Sequence, residues 1–347
     1  MRILVTGHLG YIGSVMVPLL IEEEHEVVGL DTDLYGKCTF GGGLRDIPTI
    51  RKDIRDVESE DLRGFDAVIH LAGLSNDPLG NLNPELTYDI NYRASVCLAE
   101  LAKQAGVSRY LFSSSCSTYG AAGEKILDEN AEFNPVTAYG RSKVLVEQEV
   151  SKLADDEFSP CFLRNATAYG VSPRLRFDLV LNNLVAWAVT TGRVLIKSDG
   201  TPWRPIVHVE DISRAFIATL NAPRDVIHNK AFNVGRSDEN YQIRDLANIV
   251  KETVPGCEIE YAEDAGPDTR CYRVNFSLIQ QQLPAFKPKW TARAGARQLY
   301  DAYLLHGVRL DEFEGPKYKR IDHIQELMHK GLLGTDLRWK AEVVATD

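Results

Sequence analysis

The first thirteen residues, MRILVTGHLGYIG, constrain this chain more than any other stretch. Arg2 to Thr6 reads as a buried strand. Gly7, Gly10 and Gly13 follow at intervals of three, and Tyr11 to Glu24 then carries Ile12, Val15, Leu19 and Leu20 at helical spacing. A strand that turns through glycines into a helix lets backbone amides approach a bound phosphate. The helix N-terminus adds partial positive charge there. Asp31 closes the next strand, eighteen residues after Gly13. An acid at that point hydrogen-bonds both ribose hydroxyls of NAD and repels the additional phosphate of NADP.

The same rhythm continues. Glu26 to Leu30, Thr49 to Lys52, Asp66 to Leu71, Arg109 to Ser113 and Pro160 to Arg164 read as strands, and Pro84 to Ala105 and Val136 to Leu153 as helices. Strands alternating with helices predict a parallel sheet covered on both faces, a Rossmann-type doubly wound α/β fold. After about residue 170 the alternation breaks, and AFNVG (231–235) reads as one more buried strand. The expected division is a dinucleotide-binding domain of residues 1–170 plus about 205–235. A smaller, discontinuous substrate domain takes about 171–204 plus 236–310, and a helical extension takes 311–347. In that extension Ile321, Ile324, Leu327 and Met328 recur at helical spacing. The favoured reading is a helix packed on its own domain, with a dimer contact or a flap as the alternatives.

Composition narrows the function classes. The chain has 347 residues and a formal net charge of -10, and no basic run, which argues against nucleic acid. None of the six cysteines forms a CxxC pair, so neither a zinc site nor a disulfide framework is expected, and no metal. Met1 leads directly into a strand, and no apolar run approaches a bilayer span. A cytoplasmic protein with reduced thiols and no membrane partner is the expectation.

YGRSK places Tyr139 and Lys143 four apart on a predicted helix, and so on one face. SSSCSTYG (113–120) stands at the end of the fifth strand, where a doubly wound sheet binds ligands. Together with the glycine motif and HLAG (70–73), these residues resemble the extended short-chain dehydrogenase/reductases. The subgroup they resemble is the NAD-dependent nucleotide-sugar epimerases and dehydratases, over residues 1 to about 305. The chemistry is legible in the residues themselves. An alcohol loses hydride to NAD only if its proton also leaves. A tyrosine is a poor base at neutral pH, and a nearby ammonium favours its phenolate. Tyr139 and Lys143 are therefore the expected catalytic pair, with Ser115 holding the reacting oxygen.

The resemblance implies further roles. Tyr11, Ile12 and Ser113 join the cofactor site, and Lys143 also binds the nicotinamide ribose. Asp53 and Ile54 match the pair beside adenine, and Leu71, Ala72 and Gly73 the strand end beside the nicotinamide riboside. Asn91 matches an asparagine that props up the active-site backbone. TPWRPIVHVED (201–211) resembles the segment G-x-x-x-R-D-F-I-H-V-x-D, with Pro205 replacing its acid. Arg204 there, and Arg270 in PDTRCYRVN (267–275), match arginines that grip a substrate diphosphate. Ser75, Ser117, Asn165, Thr167, Asn182 and Asn183 are expected against the nucleotide sugar. Arg174 and Arg176 either supplement the phosphate site or face solvent.

Relatives share hydride removal, usually from sugar C4, and differ in the next step. Sugar 4,6-dehydratases follow the active-site hydroxyl with Asp-Glu. Here those positions are Cys116 and Ser117, so dehydration is disfavoured, and Cys116 is expected to be a packed thiol. The leading expectation is an NAD-dependent nucleotide-sugar 4-epimerase, a homodimer as is usual in the family. A nucleotide-sugar dehydrogenase or 4-ketoreductase is the alternative, ahead of a 4,6-dehydratase or a non-catalytic dinucleotide sensor.

Overall fold

The computed structural model describes residues 1–75, 83–121, 123, 125–266 and 271–340. In chain order its strands are β1 (Arg2–Thr6), β2 (Glu26–Asp31), β3 (Thr49–Arg51), β4 (Ala67–His70), β5 (Arg109–Ser115), β6 (Ile126–Leu127), β7 (Ser159–Asn165), β8 (Thr167–Tyr169), β9 (Arg193–Ser198), β10 (Trp203–His208), β11 (Lys230–Val234), β12 (Asn240–Gln242), β13 (Glu258–Gly266) and β14 (Arg273–Val274). Seven of these form one parallel sheet in the order β11-β7-β5-β4-β1-β2-β3.

Period-two alternation explains why this sheet is buried on both faces. Along β1, Ile3 and Val5 enter one apolar cluster with Met16 and Leu20 of α1 (Gly13–Glu22). Leu4 enters a second cluster with Leu98 and Ala102 of a helix on the opposite face. The chain winds outward from β1 to β3, then returns to lay β4 on the other side of β1. That reversal opens a crevice beyond the C-terminal ends of β1 and β4. The two strand ends come close there. Gly7 has φ +74°, and a Cβ on it would sit 2.7 Å from the Ala72 backbone nitrogen.

The helix predicted over 84–105 is interrupted. α2 (Pro84–Tyr88) and α3 (Ala94–Gln104) are joined by a π-helical turn, Asp89–Arg93. Asn91 lies in that turn, 2% exposed. Its Oδ1 accepts from Leu74 N–H at 2.7 Å and its Nδ2 donates to the Leu74 carbonyl at 2.8 Å. The widened turn accompanies a grip on the loop after β4, as π-turns do at functional sites. The helix predicted over 136–153 is α4 (Ala138–Val150), N-capped by Thr137, with a 3₁₀ turn, Ser151–Leu153, after it. β5 runs two residues past its predicted end, to Ser115, and carries the serine cluster to the crevice.

Beyond β7 the regular alternation breaks as expected, but the elements are no shorter: the helix Ala292–Leu305 has 14 residues and β13 has 9. β8, β10 and β12 form one small sheet, and β9 pairs with β13. A third apolar cluster gathers Tyr169, Leu184, Ile196, Leu246, Leu299 and Tyr303. α5 (Val180–Thr191) packs within it. The C-terminal helix Arg320–His329 returns to the second cluster, which takes in its buried Ile324 and Leu327. Among the described residues no helix is long and apolar enough to cross a membrane, and all six cysteines are unpaired.

Candidate active site

The crevice between β1 and β4 is a cavity of about 180 Å³. Gly7, Gly10, Tyr11, Ile12, Gly13, Asp31, Asp53, Ile54, Leu71, Ala72 and Gly73 all line it, so the motif residues singled out in the sequence converge. The glycines are required by the backbone. A Cβ on Gly13 would stand 2.5 Å from the Gly7 carbonyl oxygen. No side chain caps α1; the Ser14 and Val15 amides donate to the Gly10 and Ile12 carbonyls, and the helix start still offers partial positive charge to an anion. Asp31, the last residue of β2, lines the crevice too. Its carboxylate accepts from Leu9 N–H at 3.0 Å and Asp33 N–H at 2.8 Å. Burial pushes its pKa up, and those two amides oppose the shift. Asp53 also N-caps the turn Ile54–Asp56; burial pushes its pKa up, but its carboxylate pairs with Arg55 at 2.7 Å and the net shift is downward.

A second, larger cavity of about 970 Å³ adjoins the first and shares Ile12, Leu71, Gly73, Leu74, Ser75, Ala168 and Arg176 with it. Tyr139 and Lys143 of α4 line it together with Ser113, Ser115 and Ser117. Lys143 is 5% exposed. Its ammonium donates to the Ser113 carbonyl at 2.7 Å, stands 4.5 Å from the Phe112 ring centre, and lies 5.6 Å from the Tyr139 ring centre. Burial pulls its pKa down to about 7, and Glu147 one turn along works against that shift. Ser115 Oγ accepts from Ser117 N–H at 3.1 Å. That bond uses a lone pair and leaves the Ser115 proton to donate elsewhere.

Beneath Lys143 lies a buried ion pair. Glu147 and Arg164 meet at 2.7 Å with both side chains 6% exposed. Ser114 Oγ donates to the same carboxylate at 2.5 Å, and Arg164 reaches Tyr119 Oη at 3.0 Å. Cys116 is fully buried and donates to the Arg164 carbonyl at 3.1 Å, and burial pushes its thiol pKa far up. It is the packed thiol expected at that position.

Ser75, Asn165, Thr167, Asn183 and Arg204 line the larger cavity. Two buried polar atoms there, Ser117 Oγ and Asn165 Oδ1, have no hydrogen-bond partner among the described residues. Arg204 is 8% exposed, donates to the Trp203 carbonyl at 2.9 Å and lies 6.0 Å from the Tyr272 ring centre. Asn182 departs from expectation. It is fully buried and holds protein instead of lining the cavity: its Oδ1 accepts from Gly170 N–H and its Nδ2 donates to the Arg176 carbonyl. Arg270 lies outside the described residues. Neither Arg174 nor Arg176 faces solvent. Arg174 is 2% exposed, pairs with Asp33 at 3.1 Å and donates to the Tyr35 carbonyl, bracing the loop after β2. Arg176 lines both cavities and forks onto Asp178 at 3.0 and 2.6 Å while donating to Ser75 Oγ at 2.9 Å.

Residues 3–235 match the NAD dependent epimerase/dehydratase family. The chain belongs to that family. A UDP-glucose 4-epimerase of Neisseria meningitidis serogroup C is 32% identical over 316 residues, covering 81% of this chain and 91% of that protein. One from Mus musculus is 29% identical over 332 residues, covering 85% and 93%. MoeE5, solved in complex with UDP-glucuronic acid and NAD, superposes with a TM-score of 0.76 at 26% identity, covering 88% of this chain and 99% of that one.

The cofactor of this epimerase/dehydratase family member is NAD. The smaller cavity fits it chemically: a glycine cradle at an uncapped helix start suits the pyrophosphate, and the Asp31 carboxylate suits ribose hydroxyls. Sequence reasoning missed Arg320 and Leu337, which line the NAD cavity from the far end of the chain. It also missed Asp178, Lys197 and Tyr272 in the larger cavity. Tyr272 stands in the PDTRCYRVN segment singled out for Arg270, and the others stand in no local motif. Only the fold brings them there.

Proposed function

We propose that this chain inverts C4 of a nucleotide-diphosphate sugar, with uridine diphosphate sugars as the class its relatives point to. One observation carries the reading. Among the described residues lining the larger cavity, Asp178 is the only carboxylate, and Arg176 holds it in a two-point fork. Dehydration needs an acid and a base placed on the sugar. Proton transfer at a hydroxyl needs only a phenol, and Tyr139 is there beside Lys143.

Bound NAD supplies a reversible hydride acceptor at C4. Tyr139 takes the C4 hydroxyl proton and later returns it. Lys143 sets a positive charge near the phenol, which favours its ionised form. Ser115 donates its free proton to the reacting oxygen. Ser117 Oγ and Asn165 Oδ1 offer unsatisfied hydrogen-bonding capacity to sugar hydroxyls. Arg204 and Asn183 receive the diphosphate, joined by Arg270. A cavity of about 970 Å³ gives the keto sugar room to present its opposite face. We also infer a cytoplasmic homodimer. Its dinucleotide-binding domain spans 1–170 and about 205–235, and its substrate domain about 171–204 and 236–310. The six unpaired cysteines suit a reducing compartment.

The test is incubation with UDP-sugars and no added NAD. The expected result is the C4 epimer with no net change in NADH absorbance. The Tyr139→Phe variant should keep its NAD and lose turnover. Steady NADH production, or full turnover in that variant, would overturn the proposal.

A further inference from the structure

The C-terminal segment lies beyond the family match, which ends at residue 235, yet it touches the NAD cavity. Several contacts anchor it against the loop after β2 and the turn after β3. His323 Nε2 lies 3.1 Å from the Leu34 carbonyl oxygen, Trp339 Nε1 donates to the Thr32 carbonyl at 2.7 Å, and Arg338 pairs with Asp56. From this segment Arg320 and Leu337 enter the lining of the cavity.

Arg320 is the unexplained group. It is 5% exposed. Its guanidinium stacks over the Tyr35 ring at 3.8 Å, and its Nη2 donates to the Arg174 carbonyl at 3.1 Å. Its Nη1 has no hydrogen-bond partner among the described residues. A buried guanidinium with an unsatisfied donor is costly unless an acceptor completes it. Among the described residues Arg320 has no paired carboxylate, since Asp178 is forked by Arg176 and Asp33 is paired with Arg174. The most concentrated negative charge of NAD, the cofactor whose chemistry this cavity fits, is its pyrophosphate. Arg176, the other arginine of that lining, lies near enough to oppose the charge of Arg320. With Arg176 already paired to Asp178, Arg320 is the arginine of that wall with a guanidinium nitrogen to offer a diphosphate.

We propose that Arg320 is a cofactor-binding residue that receives the NAD pyrophosphate. The C-terminal segment then closes the cofactor site opposite the glycine cradle. The inference rests on NAD occupying this cavity.

The test compares full-length wild type, Arg320→Gln and Arg320→Lys, measuring NAD and NADP dissociation constants by titration and the thermal midpoint without ligand. Gln should weaken NAD by about tenfold to a hundredfold, the worth of a charge-assisted hydrogen bond. The ratio of NAD to NADP affinity should stay as in wild type. Lys keeps the charge without the fork and should weaken NAD by a smaller factor. Unchanged NAD affinity in both variants would overturn the proposal. So would a lowered thermal midpoint at unchanged NAD affinity, or a loss confined to NADP, which would place Arg320 at a 2′-phosphate. Failure of wild type to bind NAD would instead refute the assignment of the cavity.

Discussion

Replacing Lys143 with methionine should abolish turnover while making the NAD-free protein more stable at neutral pH. Burial lowers the Lys143 pKa from 10.5 to about 7. In the unfolded chain the lysine is fully protonated at pH 7, so folding must desolvate or discharge it. Across that shift the cost at pH 7 is about 4 kcal/mol. Methionine removes the cost and fills the space of the lysine stem. It also strands the Ser113 carbonyl, which accepts from Lys143 at 2.7 Å, at a cost of about 1–3 kcal/mol. The net gain of about 1–3 kcal/mol should raise the thermal midpoint by a few degrees. The advantage shrinks with alkali. The unfolded state binds more protons between pH 7 and 10.5, so the wild-type penalty shrinks as pH rises through that window. The variant's advantage should fall by about 2 kcal/mol between pH 7 and pH 9. Thermal unfolding of both proteins at the two pH values, stripped of NAD, reads this directly. An advantage that stays constant with pH, or a variant less stable at pH 7, would refute the idea that Lys143 is held against a burial penalty.

Two further outcomes follow from the packing. Gly13→Ala should cost the protein its NAD, because the new Cβ meets the Gly7 carbonyl oxygen at 2.5 Å and forces the cradle apart; cofactor content after gel filtration measures it. Glu147→Gln should leave the Arg164 charge buried without its partner, lowering stability by about 3–5 kcal/mol; a denaturation midpoint equal to wild type would contradict it.

The dinucleotide crevice was legible because it rests on local backbone rules. A positive φ at Gly7 and the absence of room for a Cβ at Gly13 dictate glycine there, and Tyr139 and Lys143 face one way because a helix repeats every 3.6 residues. What escaped depends on contacts across long stretches of chain. The π-turn of Asp89–Arg93 accompanies Asn91 reaching Leu74, which no helical periodicity reveals. Asn182 sits at the start of α5, where a ligand-binding group was expected, but the β8-to-α5 connection needs its amide for Gly170 and Arg176. Arg174 and Arg176 look equivalent two residues apart. Only their partners, Asp33 for one and Asp178 with Ser75 for the other, separate a brace from a cavity wall.

The distribution of these contacts bears on the choice between an epimerase and a net oxidoreductase. A dehydrogenase must release its reduced cofactor on every turnover, so each closure over the cofactor slows its cycle. An epimerase returns its cofactor to the starting state and needs no exit. This chain reaches its NAD cavity from both ends of the sequence, with the glycine cradle at residues 7–13 and Arg320 and Leu337 from the C-terminal segment. Trp339 to Thr32 and Arg55 to the Asp336 carbonyl hold that segment in place. Opening the site would break these bonds and bare the apolar contacts of Ile324 and Leu327. Such closure is affordable only where the cofactor stays. The wall of the cofactor site, and a substrate cavity in which Asp178 is the one carboxylate among the described residues, therefore favour the same chemistry on independent grounds.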